Sequence, residues 1–138
     1  MSGKSEEGKI TAVFIIEVLG RPKEHLTETL EDLTRKLGEE KGVKILNKKI
    51  NEPKLVENQK DLFTAFAEVE VEVDEAMMLA AIMFKYMPSH VEIIEPERIV
   101  LANNEFSDVL SEITRRLHRY EELVKVLQFQ QAQAKEKK

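Results

Sequence analysis

The segment that most constrains the fold is residues 10–19, which is apolar on both of its alternating faces. One face carries Ala12, Phe14, Ile16 and Val18, and the other carries Val13, Ile15 and Leu19. A strand that is covered on one side alternates apolar with polar residues, so a strand apolar on both sides belongs in the middle of a sheet. Such a strand requires neighbouring strands and cover on both faces of the sheet.

Two helices are predicted from apolar periodicity. The first begins near Pro22, where a missing N–H costs nothing, and its apolar stripe is Leu26, Leu30, Leu33 and Leu37. Gly38 or Gly42 can adopt the left-handed backbone conformation that commonly ends a helix. The second covers residues 75–87 and is apolar nearly all round, which is typical of a helix that is heavily buried or part of an interface.

Three further strands are predicted. Residues 43–50 form a lysine-rich strand, which suits a sheet edge because charge discourages edge-to-edge pairing. Residues 62–74 alternate between an apolar face and a face that ends as a row of carboxylates. Residues 91–101 form a strand interrupted at Pro96, since proline has no N–H for a ladder. Residues 51–61 are interpreted as a loop with possible strand extensions.

This order, β-α-β-β-α-β followed by a long helix, predicts an α+β fold, a ferredoxin-like sandwich with an added C-terminal helix. Two helices would cover one face of an antiparallel sheet whose spatial order is fourth, first, third and second strand. We predict a flexible leader over residues 1–9, a ferredoxin-like domain over 10–102 and a C-terminal helix over 103–138, frayed after about residue 128.

The last helix carries an unbroken heptad stripe that starts after a cap at Asn103 or Asn104. Its members are Phe106, Leu110, Ile113, Leu117, Tyr120, Val124 and Leu127. The helix is roughly 36 Å long at about 1.5 Å per residue, whereas a strand is about 20 Å long. Because a regular heptad favours a partner helix, we predict these seven residues as the interface of a homodimer. A monomer whose long helix docks on its own sheet is the alternative.

Composition and charge narrow the function classes. None of the 138 residues is Cys, which excludes disulfides, thiolate metal sites and Cys nucleophiles. The longest apolar run, residues 76–84, is far shorter than the about 20 residues of a membrane span, and we expect a cytoplasmic protein with no membrane partner. Arg115, Arg116 and Arg119 form a candidate basic stripe, but flanking glutamates cancel its field. We therefore expect a solvated helix face with ion pairs and no nucleic-acid partner.

The carboxylates that alternate along the third strand are Glu68, Glu70, Glu72 and Asp74. Alternate residues of a strand stand about 7 Å apart, too far for all of them to reach one ion. We predict instead a charge ladder with the lysines of the second strand, Lys44, Lys48 and Lys49. The histidines supply no set of three metal ligands, and no nucleotide-binding fingerprint is present. We expect no metal, no cofactor and no catalytic residue.

The turn after the first strand, Gly20-Arg21-Pro22-Lys23, places two cations at a helix start, where backbone N–H groups favour an anion. An ordinary strand-to-helix turn is the alternative. Over about residues 10–102, this turn and the element order resemble the ACT-type regulatory modules and their Asp-Arg-Pro-Gly-like turn. Here Gly20 stands in place of the acidic residue and Lys23 in place of the usual Gly. The resemblance implies that Gly20, Arg21 and Lys23 bind a small anionic ligand against a neighbouring subunit.

Three function classes stay open. The first is a non-enzymatic, self-associating interaction or adaptor module that dimerises through the last helix and the open sheet face and can bind a protein partner. The second is an ACT-like regulatory domain for an anionic metabolite. The third is a small enzyme with a cleft at a subunit interface. The chain is also similar to small uncharacterised archaeal-type proteins, which implies no activity.

Overall fold

The computed structural model describes residues 8–136 and confirms an α+β fold. The elements are β1 (Ile10–Gly20), α1 (Lys23–Glu39), β2 (Val43–Ile50), β3 (Lys54–Leu55), β4 (Phe63–Val73), α2 (Ala76–Tyr86), β5 (His90–Glu95) and α3 (Asn103–Glu136). Residues 1–7 of the predicted leader lie outside the described residues. The chain divides at Val100 and Leu101 into a sandwich unit and a second unit formed by α3.

The sheet has the predicted spatial order, with β1 and β4 in the centre and β2 and β5 at the edges. All of its neighbouring strands are antiparallel. The short strand β3 pairs with the start of β4, beyond the end of β2. The apolar first strand is therefore central, as its composition requires.

The core lies between the helices and one face of the sheet. The apolar half of β4 is buried, from Ala65 to Val73 at alternate residues. Leu30 of α1 and Ile82 of α2 belong to the same cluster. On the other face of β1, Val13 and Ile15 are only half-buried. Full cover of this second face by a partner stays a prediction.

The main differences from the sequence prediction lie at the ends of the last strand and of the first helix. The last strand ends at Glu95 rather than at residue 101, because Pro96 cannot continue the ladder. The first helix ends at Glu39, before an extended Glu40, and Gly38 lies inside it. Gly42 has the left-handed backbone (φ 83°), but it serves the turn into β2 rather than the helix end. The long helix continues to Glu136, and its fraying after about residue 128 stays a prediction.

Candidate functional site

The heptad stripe lies along a helix in which none of the described residues is buried. Residues three and four apart lie on one helix face, so the stripe is a continuous apolar surface. Within the chain Ile113 is half-buried, Tyr120 is exposed, and five members are between 49 and 56% exposed: Phe106, Leu110, Leu117, Val124 and Leu127. The structure thus brings the seven predicted interface residues together on one accessible face.

Three large, exposed apolar residues of α3 lie outside the stripe and were missed by the heptad analysis. Leu123, Val126 and Phe129 are all exposed. Leu123 flanks the stripe, whereas Val126 and Phe129 lie on other sides of the helix because each residue turns the helix by about 100°. Their spacing of three residues was the available signal. The C-terminal part of α3 therefore presents apolar side chains in several directions.

The charged side of α3 carries the ion pairs expected of a solvated helix face. Glu112 accepts hydrogen bonds from Arg116 and Arg115, and these guanidinium groups hold the pKa of the Glu112 carboxyl below its usual range. His118 Nδ1 lies 3.3 Å from a carboxylate oxygen of Glu121. Carboxylates thus accompany the basic residues, as predicted. That the chain has no nucleic-acid partner stays a prediction.

The turn that was predicted to bind an anion is an exposed strand-to-helix connection. Gly20 ends β1, Pro22 precedes α1 with an extended backbone, and Lys23 is the first helical residue. The side chains of Arg21 and Lys23 are exposed. The Pro22 carbonyl accepts a hydrogen bond from the His25 N–H at 3.0 Å. A side chain built at Gly20 would contact Leu26 at an ordinary 3.4 Å, so Gly20 is not required by close packing.

An open cavity of about 300 Å³ lies beside this turn and includes Lys23 but neither Gly20 nor Arg21. It is lined by Lys23, Glu24, Thr27, Ile50, Asn51, Glu52 and Pro53. Two carboxylates and one ammonium group give this lining a net negative charge, which opposes an anionic ligand. The cavity brings the start of α1 next to the segment after β2, a neighbour that the sequence did not indicate.

The carboxylate row of β4 faces the lysines of β2 in part. Lys44 lies opposite Glu72, and Lys49 lies opposite Glu68. Lys48 was wrongly predicted as a third member: a register shift between Ile45 and Asn47 puts it opposite Val69, and its Nζ lies 3.4 Å from the Thr34 hydroxyl of α1. Among residues 8–136, no three His, Cys, Asp or Glu side chains converge as metal ligands.

The end of α2 is joined to the end of α1 by a buried tyrosine. The Tyr86 hydroxyl donates to Glu40 Oε2 at 2.6 Å, and Lys85 Nζ lies 2.7 Å from the same oxygen. The hydrogen bonds from Lys85 and Tyr86 lower the pKa of Glu40. Burial, and then the Glu40 carboxylate, raise the pKa of Tyr86 above its usual range. This cluster is a structural contact between helices.

A family model described as the MJ0538 family matches residues 11–138, which is nearly the whole chain. The chain therefore belongs to the MJ0538 family. Among curated proteins and among solved structures, nothing matches it. Of the helices in the described part of the chain, none is both long and apolar enough to cross a membrane.

Proposed function

We propose that this member of the MJ0538 family is a non-enzymatic interaction module that forms a homodimer through the heptad stripe of α3 and the open sheet face. The main support is the apolar stripe along a helix of 34 residues, in which Phe106, Leu110, Leu117, Val124 and Leu127 are between 49 and 56% exposed. Such a helix gains most of its stability from packing its apolar face rather than from helix propensity. The exposed members of the stripe therefore favour a partner helix.

A second copy of the chain suits the stripe better than an unrelated surface. Knobs-into-holes packing needs a partner with the same spacing of four and three residues, and α3 itself supplies that spacing. The open sheet face offers further apolar side chains, Val13 and Ile15, which are half-buried within the chain. Burying these residues in a dimer would also give β1 the two-sided cover that its composition predicts.

The test is the mass of the full chain by light scattering, with two variants of α3. The unaltered chain is expected at twice 15.9 kDa. Leu117→Glu puts a carboxylate in the middle of the stripe, and we expect the dimer dissociation constant to rise by about two orders of magnitude or more. Val126→Glu, on another side of the same helix, is the matched control and should leave the mass unchanged.

Two results would contradict the proposal. One is a monomeric mass for the unaltered chain at all concentrations. The other is a dimer that Leu117→Glu and Val126→Glu weaken equally, because the stripe would then not be the interface. Circular dichroism of both variants shows whether α3 keeps its helix.

The second candidate is a regulatory domain for a small anionic ligand, as the ACT-type resemblance implies. The cavity that includes Lys23 favours it, whereas the two carboxylates in the same lining oppose it. A thermal-shift screen with amino acids and nucleotides tests this candidate. A stabilising ligand whose effect is lost in Arg21→Ala and Lys23→Ala would support it, and the absence of any such ligand would reject it.

A further inference from the structure

The two edges of the sheet differ in how they are protected. β2 carries three lysines, and their positive charge opposes pairing with another strand. Both edge strands contain a register shift, between Ile45 and Asn47 in β2 and between Ile93 and Glu95 in β5, so the lysines are the feature that distinguishes them. β5 carries no lysine, and all six of its residues are exposed. Val91, Ile93 and Ile94 are between 41 and 45% exposed. The β5 edge is therefore the part of this sheet that can accept an added strand.

The register of β5 on β1 fixes its apolar face. Val91 lies opposite Phe14, and Ile93 lies opposite Ala12. Directly opposite residues of antiparallel strands share a face of the sheet, so these two side chains continue the face that holds the core. They mark the border of the core, where an added strand could extend it.

The other face of β5 is acidic. Glu92 lies opposite Val13, and Glu95 lies opposite Thr11, on the face of the sheet that points away from the core. Both carboxylates are exposed, and neither has a lysine or arginine partner among the ion pairs of the described residues. Residues 91–93 thus alternate apolar and negatively charged side chains, and Ile94 is the extra residue at the register shift before Glu95.

We propose that β5 binds an extended peptide segment of a partner protein in which apolar residues alternate with lysine or arginine. The segment adds to the sheet as a further strand, and its backbone hydrogen bonds supply affinity. Its apolar side chains lie beside Val91 and Ile93. Its cationic side chains lie beside Glu92 and Glu95, since opposite charges stabilise cross-strand neighbours.

A second copy of β5 fits this edge less well. It would bring another set of carboxylates to the same strip of the open face, and like charges opposite each other destabilise a sheet. The edge is also only six residues long, whereas stable interfaces use about 20–30 residues a side. A short edge of this kind suits reversible capture of a peptide rather than a permanent dimer.

The experiment measures fluorescence anisotropy of a dye-labelled, nine-residue peptide of alternating Val and Lys, titrated with the full chain at physiological salt. We expect saturable binding of this peptide and none of its Val-Glu counterpart. A peptide with the same side chains but N-methylated on alternate backbone amides should not bind, because it cannot form the ladder. This control separates strand addition from general charge attraction.

Charge-reversed variants locate the binding edge. The double variant Glu92→Lys/Glu95→Lys should weaken binding of the Val-Lys peptide by about tenfold or more and should bind the Val-Glu peptide instead. Glu28→Lys/Glu31→Lys changes the net charge by the same amount on the exposed side of α1 and is the matched control. It should leave the affinity for the Val-Lys peptide nearly unchanged.

Three results would overturn the proposal: no saturable binding of the Val-Lys peptide, equal binding of the N-methylated peptide, or equal loss in both double variants. A lower mass of the Ile93→Lys variant than of the unaltered chain would also overturn it, because a second copy of the chain would then occupy the β5 edge. The Leu117→Glu variant should bind the peptide as the unaltered chain does. Failure of the α3 dimer and failure of peptide binding are therefore distinguishable.

Discussion

The hydrogen bond between Tyr86 and Glu40 gives a prediction whose size follows from the structure. The ring of Tyr86 belongs to the core cluster, and its hydroxyl reaches the Glu40 carboxylate at the end of α1. Tyr86→Phe removes the hydroxyl and keeps the ring. The variant therefore isolates one hydrogen bond that joins α2 to α1, without creating a cavity in the core.

The expected loss is about 1–2 kcal/mol in the free energy of unfolding. A hydrogen bond to a charged group contributes about 1.5–3 kcal/mol, and the value here falls toward the lower end because Glu40 keeps some access to water. Lys85 binds the same carboxylate, but its side chain is 62% exposed. Exposed ion pairs contribute about 0–1 kcal/mol, so we expect Lys85→Met to cost less than Tyr86→Phe.

The assay is urea unfolding of the unaltered chain and of the two variants at pH 7, followed by circular dichroism. The reasoning predicts a lower midpoint for Tyr86→Phe at an unchanged slope, because the surface exposed on unfolding stays the same. It would be refuted if Tyr86→Phe were as stable as the unaltered chain. A larger loss for Lys85→Met would also refute it, since the exposed ion pair would then dominate.

Three further predictions concern pH, the core and one turn. The folded-state pKa of Tyr86 is raised, so its contribution to stability is present below about pH 10, the unfolded pKa of tyrosine, and is lost at higher pH. In chemical denaturation at pH 8–11, the free energy of unfolding of the unaltered chain should therefore fall more steeply above about pH 10 than that of Tyr86→Phe. Leu30→Ala, at a fully buried position of α1, should cost about 2–5 kcal/mol in the same urea assay, whereas a loss below about 1 kcal/mol would contradict the core assignment. Gly42→Ala should lower stability by roughly 1 kcal/mol or more, because the φ of 83° strains other residues and the new Cβ would lie 3.3 Å from the Asp74 carboxylate; a more stable variant in differential scanning calorimetry would argue against this backbone conformation.

The sheet was predictable where the pattern of apolar and charged residues along a strand matches the neighbours that the strand has in the fold. The alternation of residues 63–73 predicts the buried face of β4, and the apolar composition of residues 10–19 predicts the central place of β1. The lysines of residues 43–50 predict an edge strand, and β2 is one. In each case the composition of the two alternating faces of the strand indicates its place in the sheet.

Other features depend on register or on distant neighbours, which one-dimensional patterns do not carry. The shift between Ile45 and Asn47 moves Lys48 to the helix-covered side, and no residue type announces it. The contact between Tyr86 and Glu40 joins residues 46 positions apart. The exposed edge of β5 follows from strand order and from the early end of the strand at Glu95. The heptad of α3 was visible in the sequence, whereas its partner stays a prediction.

Disulfide cross-linking of the stripe tests the central claim most directly, because the chain has no cysteine of its own. Leu117 is the middle member of the stripe, so full overlap of two α3 helices brings it close to its counterpart in either orientation. Under mild oxidation at micromolar concentration, Leu117→Cys is predicted to form a covalent dimer rapidly, and Val126→Cys, on another side of the helix, only slowly. Equal rates for the two variants, or no dimer from Leu117→Cys, would contradict association through the stripe.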